Sequence, residues 1–204
     1  MLEILLDVNK QIFLDVNSWT RHTVVLHGFA KLYAVYGGIA ILIIILVLAY
    51  ITGLFGHNRL NNSTNAFLTG AAVLFALGVG QIVSHIVKEP RPWQSLHGIE
   101  LLLGSQHDYS FPSDHATFAG AIITGLLIGK RYWFGLAALI FGLALAFFRI
   151  YVGAHYPGDV LGGLALGALS GVFVFWAARR PIYLLFKQLC KTPLKVFFIG
   201  LNDK

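Results

Sequence analysis

Five stretches of this chain contain no Asp, Glu, Lys or Arg: residues 32–56, 66–87, 115–129, 132–148 and 160–178. About 20 apolar residues in a helix cross the hydrocarbon core of a bilayer, so the two longest can span it outright, the second of them following Asn61-Asn62-Ser63-Thr64-Asn65, which reads as a polar turn. A 15-residue helix such as 115–129 measures only about 22 Å at 1.5 Å per residue. It can cross only if one end opens into a polar cavity lined by protein. Composition points the same way. The 204 residues are 57% hydrophobic and 12% charged, with mean hydropathy +0.73, whereas a soluble domain carries about 25% charged residues. The expected fold is all-α: a polytopic transmembrane bundle of five spans, or six if the N-terminal helix inserts, with interfacial amphipathic helices at both ends. One membrane-embedded domain is expected over residues 1–204. It divides into an N-terminal interfacial segment (1–28), a transmembrane core (29–180) and a basic tail (181–204).

Polar Asp7, Asn9 and Lys10 alternate at helical spacing with Ile4, Leu5, Val8, Ile12 and Val16. Residues 2–16 therefore read as an amphipathic helix lying in the interface. Glu3 and Asp7 interrupt what would otherwise be the apolar part of a cleavable signal. Leu-Asp-Val-Asn occurs twice (Leu6 to Asn9, Leu14 to Asn17) and is accounted for by helix periodicity, being too short for an architectural repeat. Cys190 is the only cysteine, which excludes an intrachain disulfide and a cysteine-based zinc site.

Five spans divide the charges unequally. One side holds Arg59, Lys130, Arg131, Arg179, Arg180, Lys187, Lys191, Lys195 and Lys204 against Asp203 alone; the other holds six basic residues against eight acids. The positive-inside rule puts the first side in the cytoplasm. The formal charge of +6 is thus a topology signal joined to an anion site, and no nucleic-acid partner is expected. The tail after Pro181 mixes Leu185, Phe186, Leu189, Val196 and Phe197 with Lys187, Lys191 and Lys195, as a basic interfacial segment would. Gly163, Gly167 and Gly171 recur every four residues, which suits close packing within the chain or in a homodimer.

Three clusters fall on the outward side: Lys88-Glu89-Pro90-Arg91-Pro92, then Phe111-Pro112-Ser113-Asp114-His115, then Arg149 through Asp159. Consecutive spans alternate in direction, so these segments share one membrane face. Phosphoryl transfer needs cations with several donors, and Arg91 and Arg149 supply planar forks. It needs a nucleophile and an acid for the leaving group, roles that His155 and His115 can divide. Asp159, one helical turn beyond His155, suits a carboxylate bonded to the distal ring nitrogen. Pro157 fits the first turn of the fifth span. Ser113 suits the cap of the third, with free amides aimed at an anion.

Each residue has an ordinary alternative. A single histidine at a span end is usually interfacial, as read for His22, His27, His57, His97 and His107, and a boundary Arg is usually a snorkelling anchor. Two Arg, two His and two Asp converging on nearly uncharged helices favour function. A metal held by His115, His155 and Asp159 is disfavoured because Arg91 and Arg149 would repel it. Trp93 and the Leu101-Leu102-Leu103 run are candidates for resting on the leaflet, where a lipid phosphate could enter between helices.

The three clusters resemble the signature of the type-2 phosphatidic acid phosphatase superfamily: Lys-x6-Arg-Pro, Pro-Ser-Gly-His and Ser-Arg-x5-His-x3-Asp. Arg91-Pro92 matches the end of the first part. Pro112-Ser113-Asp114-His115 matches the second with Asp114 for Gly. Arg149, His155 and Asp159 match the third with Phe148 for Ser. The resemblance covers residues 66–178. It implies a lipid-phosphate substrate, a phosphohistidine on His155, His115 as acid, no metal or other cofactor, and phosphate binding by Arg91, Arg149, Ser113 and Asp114. Ser84 stands where the family has Lys. Lys88, one helical turn later, is expected to substitute in part. The Glu-Pro-Arg-Pro and Pro-Ser-Asp-His forms are similar to the bacitracin-resistance branch, the undecaprenyl-diphosphate phosphatases. That branch implies a multi-pass enzyme of the plasma (inner) membrane with its site facing outward. The intact His and Arg set weighs against an inactive binding protein or transporter, the rival that the missing Lys suggests. Within enzymes the rivals are a phosphatase for other lipid phosphates (phosphatidic acid, phosphatidylglycerophosphate or lipid A) and a phosphotransferase between lipids.

Overall fold

The computed structural model describes residues 2–105 and 108–199; His107, Asp203 and Lys204 of the readings above lie outside them. The described residues contain no strand. Helices α1 (Leu2–His22), α2 (His27–Leu32), α3 (Gly38–Leu54), α4 (Arg59–Val87), α5 (Pro92–Ser95), α6 (Asp114–Ile128), α7 (Tyr132–Tyr151), α8 (Pro157–Leu189) and α9 (Val196–Ile199) follow in order. A 3₁₀ turn at Val24–Leu26 and a π turn at Tyr33–Gly37 join α2 and α3 into one helical run. Four runs are long and apolar enough to cross a membrane (Val24–Leu54, Arg59–Ser95, Tyr132–Tyr151 and Pro157–Leu189), and α6 is the shorter apolar helix expected between them. The chain is an all-α polytopic bundle.

Local chemistry sets the helix ends that matter. Lys88 adopts a left-handed conformation (φ 54°) and closes α4, two residues before Pro90. Pro92 and Pro157 occupy the first turns of α5 and α8, where a missing N–H costs nothing.

Packing centres on α6. Its Ile122 and Leu126 join Leu42 and Ile45 of α3, Val73 of α4 and Leu145 of α7 in one buried cluster. Against α8 the contact is backbone to backbone. A Cβ on Gly167 would stand 2.1 Å from the Thr117 carbonyl oxygen, and one on Gly120 would stand 2.3 Å from that of Leu164. The glycine stripe of α8 therefore faces α6 of the same chain. This contact ties the helix that starts with Asp114 and His115 to the helix that carries Asp159. Outward-facing Leu74, Ile82, Ile86, Trp133, Leu161, Leu169 and Trp176 are exposed, as a lipid-facing surface requires.

Three expectations need correction. Residues 61–65 are not a turn: they lie inside α4, where Ser63, Thr64 and Asn65 are buried. Thr64 Oγ1 satisfies itself on the Leu60 carbonyl at 2.7 Å, which lets a polar run continue as helix. The turn falls at residues 55–58 instead. The tail does not begin as a separate segment at Pro181, because α8 runs through it to Leu189. Finally, Leu102 does not rest on the leaflet. It packs inward with Tyr151, Val152 and Ala154. The α1 helix is not among the runs apolar enough to span.

Replacing Gly167 by Val should destabilise the protein in detergent by more than the about 1–3 kcal/mol typical of overpacking, because backbone cannot move aside. Gly70→Ala, whose Cβ meets nothing within 4 Å, should leave the unfolding midpoint nearly unchanged; equal midpoints for both variants would contradict the packing.

Candidate active site

The three clusters meet at one end of the bundle. A cavity of about 430 Å³ is lined by Arg91, His115, Arg149 and His155, together with Gln81, Ser84, His85, Asp108, Tyr109, Pro112 and Asp114. Arg91, Arg149, His155 and Asp159 are buried, and buried charge of this density is expected only where it is paired or functional.

Both arginines point at one atom. Arg91 Nη1 and Arg149 Nη2 each lie 3.2 Å from His155 Nε2. A guanidinium can only donate, so Nε2 presents its lone pair and the ring proton sits on Nδ1. Nδ1 lies 2.9 Å from the Ser110 carbonyl oxygen, to which it donates. This differs from the sequence expectation, in which Asp159 holds the ring. Asp159 Oδ2 is 3.6 Å from Nδ1, an ion-pair distance that exceeds a hydrogen bond. The cause is local: His155 precedes α8, so the one-turn spacing of a helix does not apply to it. Asp159 instead accepts from Ser110 Oγ at 2.5 Å and from the Tyr156 amide at 2.8 Å. It holds Ser110, and Ser110 holds the imidazole.

Each arginine is fixed elsewhere as well. Arg91 caps α5, its amide donating to Gln94 Oε1 at 3.0 Å, while its Nη1 donates to the Ala154 carbonyl at 2.9 Å. Its outer edge meets Asp108, with Nε and Nη2 both 2.9 Å from Oδ1. Burial would raise the Asp108 carboxyl, but the Arg91 fork overrides it and holds the group below its ordinary value. Arg149, in the last turn of α7, donates to the Ala34 carbonyl at 3.3 Å. Ala34 lies in the π turn, a distortion that often marks functional positions. The first span therefore contributes to the site, although nothing in its apolar sequence shows it. His115 opens α6 beside the Val35 backbone.

Other expected residues fall differently. Lys88 is exposed and outside the cavity lining, whereas Ser84 lines it. The one-turn argument fails because the helix ends at Val87 and the left-handed Lys88 departs from its face. Asp114 lines the cavity, but its carboxylate accepts from Gln81 Nε2 at 3.0 and 3.3 Å. Ser113 sits at the start of α6, but its side chain makes no cap bond. Its Oγ is fully buried, unpartnered among the described residues and outside the cavity lining; Arg149, which does line the cavity, has an unpartnered buried Nε, and since buried donors are ordinarily paired, an anion there would satisfy it. Ser110, Asp108, Gln81 and the π turn were not found by sequence reasoning. Ser110 carries no signal beyond lying just ahead of Pro112-Ser113.

Comparison with known proteins decides the family. The profile of the PAP2 superfamily matches residues 65–183, the segment that carries all three clusters. The chain belongs to the PAP2 superfamily. The undecaprenyl-diphosphatase BcrC of Bacillus subtilis (strain 168) is 32% identical over 168 residues, 82% of this chain and 83% of that protein. A putative undecaprenyl-diphosphatase, YbjG of Escherichia coli (strain K12), is 31% identical over 55% of this chain and 58% of its own. The crystal structure of Aquifex aeolicus LpxE shares the fold at TM-score 0.65 and 23% identity, covering 81% of this chain and 93% of that one. The chain is a PAP2 membrane lipid phosphatase, and as an enzyme it is a phosphoric ester hydrolase.

For a PAP2 phosphatase the electrostatics of His155 have a direct consequence. Burial, opposed by Asp159 and reinforced by Arg149 and Arg91, pushes the imidazole down to about 4. The ring is then neutral above that pH, as a nucleophile must be. The acidic limb of kcat/KM that reports His155 should lie near pH 4, with activity falling roughly tenfold per pH unit below it. A limb assigned to His155 near 6.5, the ordinary histidine value, would contradict the cradle.

Proposed function

We propose that the chain removes the terminal phosphate of undecaprenyl diphosphate, releasing undecaprenyl phosphate and inorganic phosphate through a phosphohistidine on His155. The observation that carries this reading is the convergence of two guanidinium groups on the lone pair of one buried, neutral imidazole. A phosphoryl group placed there meets nucleophile and charge stabilisation together. In PAP2 terms, His155 Nε2 attacks the terminal phosphorus in line with the bridging oxygen. The N–P bond forms as the P–O bond breaks, and His115, which takes up a proton once the negative charge of the bound substrate offsets Arg149 and Arg91, gives that proton to the departing lipid phosphate. Water then cleaves the N–P bond and frees phosphate. Arg91 and Arg149, both lining the cavity, hold the equatorial oxygens; prepositioned charge of this kind contributes on the order of several kcal/mol. Two fixed cations supply the positive charge that a metal provides in other phosphatases, so turnover in EDTA is expected.

The diphosphate substrate rests on the extent of the similarity to BcrC, which covers four-fifths of both chains. A lipid monophosphate is the second reading, favoured by a lipid A 1-phosphatase of Rhizobium johnstonii that is 45% identical over 60 residues, 29% of this chain and 24% of its own. The charge asymmetry of the loops supports a site on the outer face of the plasma membrane.

Phosphate release from undecaprenyl diphosphate, phosphatidic acid and phosphatidylglycerophosphate should be measured side by side with EDTA present. Undecaprenyl diphosphate should give the highest kcat/KM, and His155→Ala should reduce it by at least about 10⁴-fold. A preference for either glycerolipid would overturn the substrate, and a His155→Ala variant within tenfold of the parent would overturn the nucleophile.

A further inference from the structure

The N-terminal helix α1 lies outside the segment that the PAP2 profile matches, yet it touches the catalytic loop. Its amphipathicity has three faces. Asp7, Lys10, Gln11 and Asp15 are exposed, and Ile4, Val8, Ile12 and Trp19 are exposed on a second, apolar side. The third face is formed by Asn9, Phe13, Asn17 and Thr20, spaced one helical turn apart, and it points into the protein. Phe13, Asn17 and Thr20 are at most 1% exposed.

Each polar residue on that face bonds backbone elsewhere in the chain. Asn9 Oδ1 accepts from the Gly158 amide at 2.7 Å. Since Pro157 has no N–H, this is the first free amide of α8, three residues after His155 and one before Asp159. A Cβ on Gly158 would stand 3.2 Å from the Asn9 amide group, so contact there is close. Phe13 meets the Tyr156 ring edge-on, centroids 5.3 Å apart. Asn17 bonds both backbone groups of Glu100, donating to its carbonyl at 2.7 Å and accepting from its amide at 2.8 Å. The Glu100 carbonyl presses on Gly153, whose φ of 81° and 2.7 Å clearance admit no side chain. Thr20 Oγ1 donates to the Tyr151 carbonyl at 2.9 Å.

We propose that α1 is a clamp on the catalytic loop and that Asn9 is a positioning residue for His155, acting through the Gly158 amide. The doubled Leu-Asp-Val-Asn thereby gains a purpose that periodicity alone does not supply: Asn9 bonds the Gly158 amide after the histidine, and Asn17 fixes Glu100, whose carbonyl lies against Gly153 before it. Residues 152–156 lie between α7 and α8 with no helix or sheet of their own, so the placement of Nε2 between its two arginines depends on what holds this backbone. Misplacement by an ångström or less lowers a rate by up to about a hundredfold. The proposal rests on the hydrolase reading for its kinetic readout but not for its structural one.

The test compares the full-length parent with Asn9→Leu and Asn9→Asp. Leu removes the acceptor at similar size; Asp keeps an acceptor oxygen beside the start of α8. Asn9→Leu should lower kcat for undecaprenyl diphosphate by about tenfold with KM changed less than about twofold, and Asn9→Asp should recover most of the loss. Amide hydrogen exchange should quicken over residues 152–159 in Asn9→Leu and stay slow in Asn9→Asp. Unchanged kcat and exchange in Asn9→Leu, or equal losses in both variants, would overturn the clamp. A parent that releases no phosphate from any lipid would overturn the hydrolase reading instead, and the exchange measurement would then decide the clamp by itself.

Discussion

The proposed chemistry depends on the orientation of one imidazole. His155 has no room to choose its tautomer: a carbonyl on one side accepts the ring proton, and two cations on the other require a lone pair. Reversing the tautomer would bring an N–H against two guanidinium groups and set a ring lone pair against the Ser110 carbonyl oxygen. Neither contact is tolerable at 3 Å in a buried site. The ring is therefore fixed by hydrogen-bond bookkeeping before any substrate is considered. The carboxylate that a triad would place directly on the ring acts one residue removed, through Ser110.

The bundle exists to hold that arrangement in a medium that gives polar groups no help. Arg149 arrives from the end of one span, Arg91 from the loop after another, and Ser110 from the loop before the short α6. These elements keep their spacing because α6 and α8 touch backbone to backbone at Gly120 and Gly167. A π turn in the first span offers a carbonyl to Arg149. The shortness of α6 follows from the same need. A helix that ends below the surface leaves space for a polar cavity, and its first residues, Asp114 and His115, line that cavity. Polar residues on α1 close the assembly from outside.

How much of this could be read from the sequence is best seen residue by residue. The span count was legible because charge-free runs report directly on the solvent. The site cluster was legible because Arg91, His115, Arg149, His155 and Asp159 sit at fixed spacings around span ends. What failed were inferences that extended a helix past its end. Helical spacing sets Lys88 on the face of Ser84, but the chain turns left-handed there. One-turn spacing does bring Asp159 to 3.6 Å from His155 Nδ1, but the helix begins only at Pro157 and the ring proton goes to the Ser110 carbonyl. Polar residues 61–65 were assigned to a turn because side-chain bonds to the preceding turn, such as that of Thr64, cannot be seen in composition. Ser110 and Ala34 contribute through backbone oxygens, and a backbone oxygen leaves no mark on residue identity.

The central claim is that phosphorus bonds to one particular nitrogen. The most direct measurement is a rapid quench of the enzyme with substrate into base, where phosphohistidine survives, followed by peptide mass spectrometry and phosphorus NMR to assign the modified atom. The account predicts phosphate on Nε2 of His155. Phosphate on Nδ1 of that ring, on His115, or no covalent phosphate during turnover would contradict it.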